Sequence, residues 1–304
     1  MIKAITAVND RGESLRIELT KPMETGFLVK NIDGLGPGKA TINTTEMATY
    51  DGAMYNSSRF NQRTITITFK YLNVPTIEDV RQKSYKYFPI NQQITLIVET
   101  TNRTAEINGW VESNEANIFD KAETATISIV CPDPYFKLYG SKGTEVHVFY
   151  GVDALFEFPF ENDSLTEPIL EFGSIQEKRE QNIFYTGDAE VGMSFIMNAL
   201  GEVGDVIIYN VRTREQMRIL ESRLVALTGE KLHKGDTITI TTGKGEKGIT
   251  LLRDGDTYNI LNVLDKGTTW LTLKKGDNLL AYSASYGAEF LEFKIENRVI
   301  YEGV

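Results

Sequence analysis

The side chains that could do chemistry in this sequence are few and scattered. His147 stands in an alternating stretch and His233 in a turn. Neither has a second histidine at the spacing that would hold zinc from one helix face. The single cysteine, Cys131, has no obvious base, and one cysteine rules out an intramolecular disulfide or a cysteine-rich metal centre. Asp254 and Asp256 have the spacing of a calcium loop, but Tyr258 stands where the third oxygen ligand belongs. Gly34-Leu35-Gly36-Pro37-Gly38 and Gly243-Lys244-Gly245-Glu246-Lys247-Gly248 are as glycine-rich as phosphate loops. Neither leads into a helical pattern, and the second lacks a Lys-Ser/Thr pair, so both read as turns. No Gly-x-Ser-x-Gly elbow occurs. No catalytic, cofactor-binding or metal-binding residue is assigned, no cofactor is expected, and the chain is not expected to be an enzyme.

The elements that would position any site are mostly strands. Residues 64–71 alternate cleanly, with Ile65, Ile67, Phe69 and Tyr71 on one face and threonines or Lys70 on the other. Strands are also expected over 13–20 and 25–33, with a break at Lys21–Glu24, and over 94–99, 105–111 and 124–131. One helix is expected at about 76–88. Thr76 follows Pro75 as N-cap, Asp79 stands in capping-box position, and Pro89 closes it. It is expected to be the only substantial helix. Beyond residue 137 the pattern is all-β, with short strands punctuated by Gly187-Asp188, Gly235-Asp236, Asp254-Gly255 and Gly276-Asp277. That spacing suggests a sandwich. Arg298 to Tyr301 reads as part of its last strand.

Two stretches stand apart. The polar segment of about 44–62 carries Tyr50, Asp51, Tyr55, Arg59 and Phe60 and is too long for an ordinary connection. Its aromatics argue against disorder. It reads either as a hairpin packed on its own domain or as an arm that grips a neighbouring subunit. Cys131-Pro132-Asp133-Pro134-Tyr135-Phe136 ends a strand with two residues that cannot donate to a ladder. It is expected to be a domain junction, stiffened by Pro132 and Pro134 and anchored by Tyr135 and Phe136. Charge shifts there too. Residues 1–136 carry 14 Lys/Arg against 16 Asp/Glu, a net of −2, and residues 137–304 carry 18 against 26, a net of −8. The expected domains are therefore 1–136 and 137–304, both β-sandwich-like, the first with the flanking helix. A net charge of −10 argues against phosphate-backbone binding as the main task.

A set of stretches runs in order along nearly the whole chain: Ile32-Asp33-Gly34-Leu35-Gly36-Pro37-Gly38-Lys39-Ala40, Tyr50-Asp51-Gly52, and Arg63 leading the Thr/Ile strand. The set continues through the 131–136 motif, Phe158-Pro159-Phe160, and Tyr185 to Gly192, and ends with Gly235 to Thr242 and Trp270 to Asn278. In these stretches the sequence resembles the siphophage distal tail (Dit) proteins, a phage tail-component family. The resemblance implies a structural virion protein at the tail tip, made in the host cytoplasm. Six copies would form a ring at the distal end of the tail tube, built by the first domain around a channel that DNA crosses without specific binding. The second, galectin-like domain would point outward. Implied partners are the tail tube protein, the tail-associated hub of the baseplate and, in some members, a receptor-binding protein. No membrane insertion is implied. The alternative is a carbohydrate-binding module, with Trp270 and Tyr282 as glycan contacts; Trp270, amid Leu271 and Leu273, also reads as a core residue with no such role.

Overall fold

The computed structural model describes residues 1–48, 51–119, 123–140, 143–153, 174–177 and 179–304. The expected strands at 155–160 and 168–173, and the Phe158-Pro159-Phe160 motif, lie outside the described residues. Strands make up 54% of the structure and helices 11%, which makes the chain mostly β, as its alternating patterns indicate. Contacts divide it into two units, Met1–Gly143 with Ile300–Val304, and Thr144–Val299.

Unit 1 contains, in order, β1 (Ile2–Asn9), β2 (Ser14–Glu18), α1 (Pro22–Thr25), β3 (Phe27–Asp33), β4 (Ala40–Glu46) and β5 (Ala53–Phe60). There follow β6 (Arg63–Tyr71), α2 (Ile77–Tyr87), β7 (Gln93–Thr100), β8 (Thr104–Asn117), β9 (Thr124–Cys131) and β10 (Phe136–Leu138). Seven of these strands run β2-β1-β7-β8-β9-β6-β3 in an antiparallel sheet, while β4 and β5 pair only with each other. One face of the sheet is apolar by simple alternation. On β6, Ile65, Ile67 and Phe69 are fully buried, and Ile65 and Ile67 pair with Ile129 and Ile127 of β9.

Helix α2 covers part of that face with Val80 and Phe88, the residue that closes the helix. Burying each contributes about 1.5–3 kcal/mol. Its start is set locally, because Thr76 Oγ1 accepts the Asp79 N–H at 3.1 Å. Its end is held from the sheet, where Asn114 Nδ2 donates to the carbonyls of Ser84 and Phe88, each at 3.2 Å. Lys21–Glu24, expected as a break, opens onto the short helix α1. β1, which the sequence analysis did not single out, lies between β2 and β7, where Ala4 and Ala7 leave little hydrophobic contrast.

Unit 2 contains β11 (Thr144–Val148), β12 (Tyr150–Asp153), β13 (Ser174–Glu177), β14 (Glu180–Tyr185), β15 (Val191–Ala199), β16 (Val206–Asn210) and β17 (Gln216–Ile219). After α3 (Glu221–Thr228) come β18 (Thr237–Thr241), β19 (Gly248–Arg253), β20 (Asp256–Asn259), β21 (Thr272–Leu273), β22 (Gly276–Ala284) and β23 (Leu291–Arg298). One sheet runs β11-β23-β15-β18-β19-β20 and another β14-β22-β16-β17. Their inner faces meet through aromatic rings. Tyr282 of β22 stacks on Phe293 of β23 with centroids 4.8 Å apart, and Phe149 packs edge-on against Phe293, also at 4.8 Å. This is the face-to-face arrangement of a sandwich.

The final strand corrects two expectations. Residues 298–301 are not one strand, because β23 ends at Arg298 and β24 (Ile300–Tyr301) belongs to unit 1, where it pairs with β10. The second unit therefore ends at Val299, and residues 300–304 return to the first. The 131–136 motif also lies inside unit 1. Both β9 and β10 pair with β8, so the prolines interrupt one strand path at the point where its ladder breaks.

Candidate assembly interface

The residues with chemical potential are dispersed. His147 lies on β11 with its Nε2 3.1 Å from Asn297 Oδ1. His233 sits in a turn, 3.2 Å from Glu230. Asp254 has φ of 52° at the tip of the β19–β20 hairpin. Among the described residues no group of three or more His, Cys, Asp or Glu side chains converges. Cys131 is fully buried, and burial pushes its thiol up to about 11.

The feature that burial leaves unexplained is the β4–β5 hairpin. Every residue of β5 is exposed, and so is all of β4 except the half-buried Thr41. Ile42, Met54, Tyr55 and Phe60 present large apolar surface, Ile42 at 62% and Tyr55 at 61% exposure. The hairpin is held in register by its own polar side chains. Asn43 Nδ2 donates to Ser57 Oγ at 3.0 Å, Asn56 Nδ2 to Thr45 Oγ1 at 2.6 Å, and Tyr55 OH to Ser58 Oγ at 2.9 Å. Arg59 pairs with Thr41, and Asp51 lies in the turn at the tip. Tyr50 lies outside the described residues. A two-stranded ribbon is marginal in water by itself, and among the described strands neither β4 nor β5 has a second partner.

The arm's root, by contrast, is tightly held. Arg63, at the start of β6, is only 6% exposed and continues the buried phase of Ile65, Ile67 and Phe69. Its guanidinium donates through Nη1 to the carbonyls of Gly34 (2.6 Å) and Gly36 (2.5 Å). Nε donates to Pro134 O (2.7 Å) and Nη2 to Glu302 O (2.6 Å). It also lies over the Phe136 ring at 4.9 Å. Burial lowers its pKa from the ordinary arginine value, although arginine stays charged in proteins. Gly34 has φ of +88°, and a Cβ there would sit 2.3 Å from Thr64 O, so this close approach to β6 requires glycine. Phe60, at the end of β5, meets Tyr135 edge-on at 5.8 Å.

The structure thus gathers Phe60, Pro134, Tyr135 and Phe136 at the arm's root with Arg59 beside it on β5, and places Cys131 opposite Arg63 in the β6–β9 ladder. The role of Arg63 was not inferred from sequence. Its signal was there to read: a cation at the first place of a period-2 apolar face.

The two proposed glycan contacts do not meet. Tyr282 is a correction: it is 3% exposed, stacked on Phe293, and its hydroxyl donates to Leu291 O, so no pyranose can reach its ring. Trp270 is half-buried, with Lys247 Nζ 5.4 Å from its ring centre.

This architecture, a large antiparallel sheet with a flanking helix and an exposed hairpin followed by a β-sandwich, is similar in fold to a solved phage protein. The chain aligns with SPP1 Dit (gp 19.1), from a phage that infects Gram-positive hosts, over 97% of its own length and 98% of that chain. The TM-score is 0.62 and the identity 10%. Chains of the phage P2 baseplate in its activated conformation align over 97% of this chain and 98% of that one, with a TM-score of 0.41 and 11% identity. No family model matches the sequence, and no curated protein does either.

Proposed function

We propose that this chain is a structural subunit of a phage tail tip. Six copies close a ring at the distal end of the tail tube, join the tube to the baseplate hub, and leave a channel through which DNA passes without specific binding. The fold shared with SPP1 Dit over nearly the whole chain carries this reading. SPP1 Dit is described as a paradigm of the hub adsorption apparatus. Unit 1 supplies the ring and unit 2 the outward, galectin-like domain that meets other tail components, including a receptor-binding protein. The role involves no turnover.

The exposed arm gives the ring a physical basis. A ring needs a heterologous contact, in which one surface of a subunit meets a different surface of the next. Covering Ile42, Met54, Tyr55 and Phe60 on a neighbour would contribute about 1.5–3 kcal/mol per fully buried side chain. The arm's free edges add backbone hydrogen bonds that are unmade in the single chain.

Mass photometry of the purified chain, compared with a chain lacking residues 46–60, tests this reading. A closed six-membered species in the full chain, lost on deletion while the far-ultraviolet spectrum is kept, is the expected result. Six-membered rings that persist without residues 46–60 would remove the arm from the interface. Absence of self-association across the micromolar range, and in electron micrographs of the chain at high concentration, would overturn the ring.

A further inference from the structure

We propose that Arg63 and the returning segment Ile300–Val304 form a clamp that fixes the direction in which the arm leaves unit 1, making Arg63 a positioning residue for self-association. The inference rests on the reading of the arm as an assembly element.

Three separated segments meet at one guanidinium. Gly34 and Gly36 belong to the loop that feeds β4, Pro134 to the interruption between β9 and β10, and Glu302 to the segment that follows β24. All four acceptors are backbone carbonyls, so the contact reads chain path and not side-chain identity. A guanidinium can do this because its five N–H donors lie in one plane and point outward. A lysine would bring three donors to a single point and could not span the same carbonyls.

The returning segment also touches the same loop directly. Val304 N–H donates to Leu35 O at 3.1 Å. A Cβ placed on Gly303 would stand 3.0 Å from both Leu35 O and the Gly36 carbonyl carbon. Arg103 holds the segment in turn, donating from Nη1 to Gly303 O at 3.4 Å and lying 4.2 Å over the Tyr301 ring. Leu35 of that loop is buried and Phe60 meets Tyr135 where β5 ends, while most of the hairpin between them is exposed, so its direction depends on how firmly these two ends are held. The clamp therefore trades the arm's rotational freedom before association, as preorganisation of a binding element does.

The test uses the full chain with two substitutions. Arg63→Lys keeps the charge and removes the fork. Gly303→Val pushes the returning segment from Leu35 and Gly36, and with it the Glu302 carbonyl that Arg63 holds, while the Arg63 side chain is kept, so it stands if the first variant fails to fold. Hydrogen exchange by mass spectrometry is read over residues 34–61 and, separately, over β6 and β9, with self-association followed by mass photometry. We expect exchange over 34–61 to rise about tenfold, β6 and β9 to keep their protection, and self-association to weaken about tenfold. Unchanged exchange over 34–61 in the folded variants overturns the clamp. So does an equal loss of protection in β6 and β9 for Gly303→Val, which would make it a core contact. Faster arm exchange without weaker association, in a chain whose association needs residues 46–60, also overturns it. If deletion of 46–60 leaves association intact, the assembly role of the arm fails, and the exchange data still decide whether the clamp holds it.

Discussion

Two buried guanidinium groups are satisfied here in opposite ways. Arg63 takes backbone carbonyls, whereas Arg253 takes a carboxylate, donating from Nε and Nη2 to the two oxygens of Asp236 at 2.8 and 2.5 Å. The Asp236 side chain is fully buried. Asp236→Ala would remove the buried carboxylate and leave Arg253 the Lys231 carbonyl at 2.7 Å, Thr228 Oγ1 at 3.4 Å and the exposed Glu230 at 3.8 Å, and the expected loss is at the lower end of about 3–5 kcal/mol in urea unfolding followed by a unit 2 probe. Cys131 gives a pH prediction. Its thiol holds its proton in the folded chain to about pH 11, while in an unfolded chain it releases it from about 8.5. The contribution to stability is thus complete below about pH 8.5 and falls as pH rises towards 11, by at most about 1.4 kcal/mol per unit. Urea unfolding at neutral pH and near pH 10 should show the parent chain losing more stability than Cys131→Ala; equal losses would contradict the shift. Sequence alone placed Cys131 at a strand end. It could not show the Arg63 contacts, because carbonyls are present at every residue and only the folded path selects four of them.

Among the elements, β6 and α2 were readable because their determinants are local: strict alternation in the one, Thr76 and Asp79 in the other. Helix α3 was not. The residue preceding it, Leu220, offers no side-chain cap, and the Glu221 N–H is capped from afar by Asp205 Oδ1 at 2.8 Å. That hydrogen bond is the main reason the Asp205 pKa is lowered. A cap brought by folding from the end of another strand leaves no mark in the local window. Asp205→Ala should cost about 1 kcal/mol. It should also speed hydrogen exchange at residues 221–228, with β18 and β19 unaffected; unchanged exchange in the helix would show that the cap is dispensable. The arm falls between these cases. Its length and aromatics marked it in the sequence, and the structure adds that the side chains of β5 are exposed, which no local pattern showed.

For the whole molecule, the charge balance predicts how a DNA channel would behave. With a net charge of −10 and no concentrated basic stretch, the purified protein should not retard a short DNA duplex at physiological salt. Retardation that weakened steeply with added salt would point to a basic lumen and contradict weak, non-specific passage. The division into units was half readable: the composition changes near residue 137, but the return at residue 300 depends on a strand of two residues, too short to register as a pattern. Its pairing has a consequence for how such a protein can change. Lys137 of β10 lies opposite Ile300 of β24, so the chain departs and comes back on adjacent strands, about 5 Å apart. Everything between 144 and 299 is then a cassette, plugged into a socket whose two contacts already touch. It could be exchanged for another module, lengthened, or reduced to a short turn, and the host sheet would keep its register.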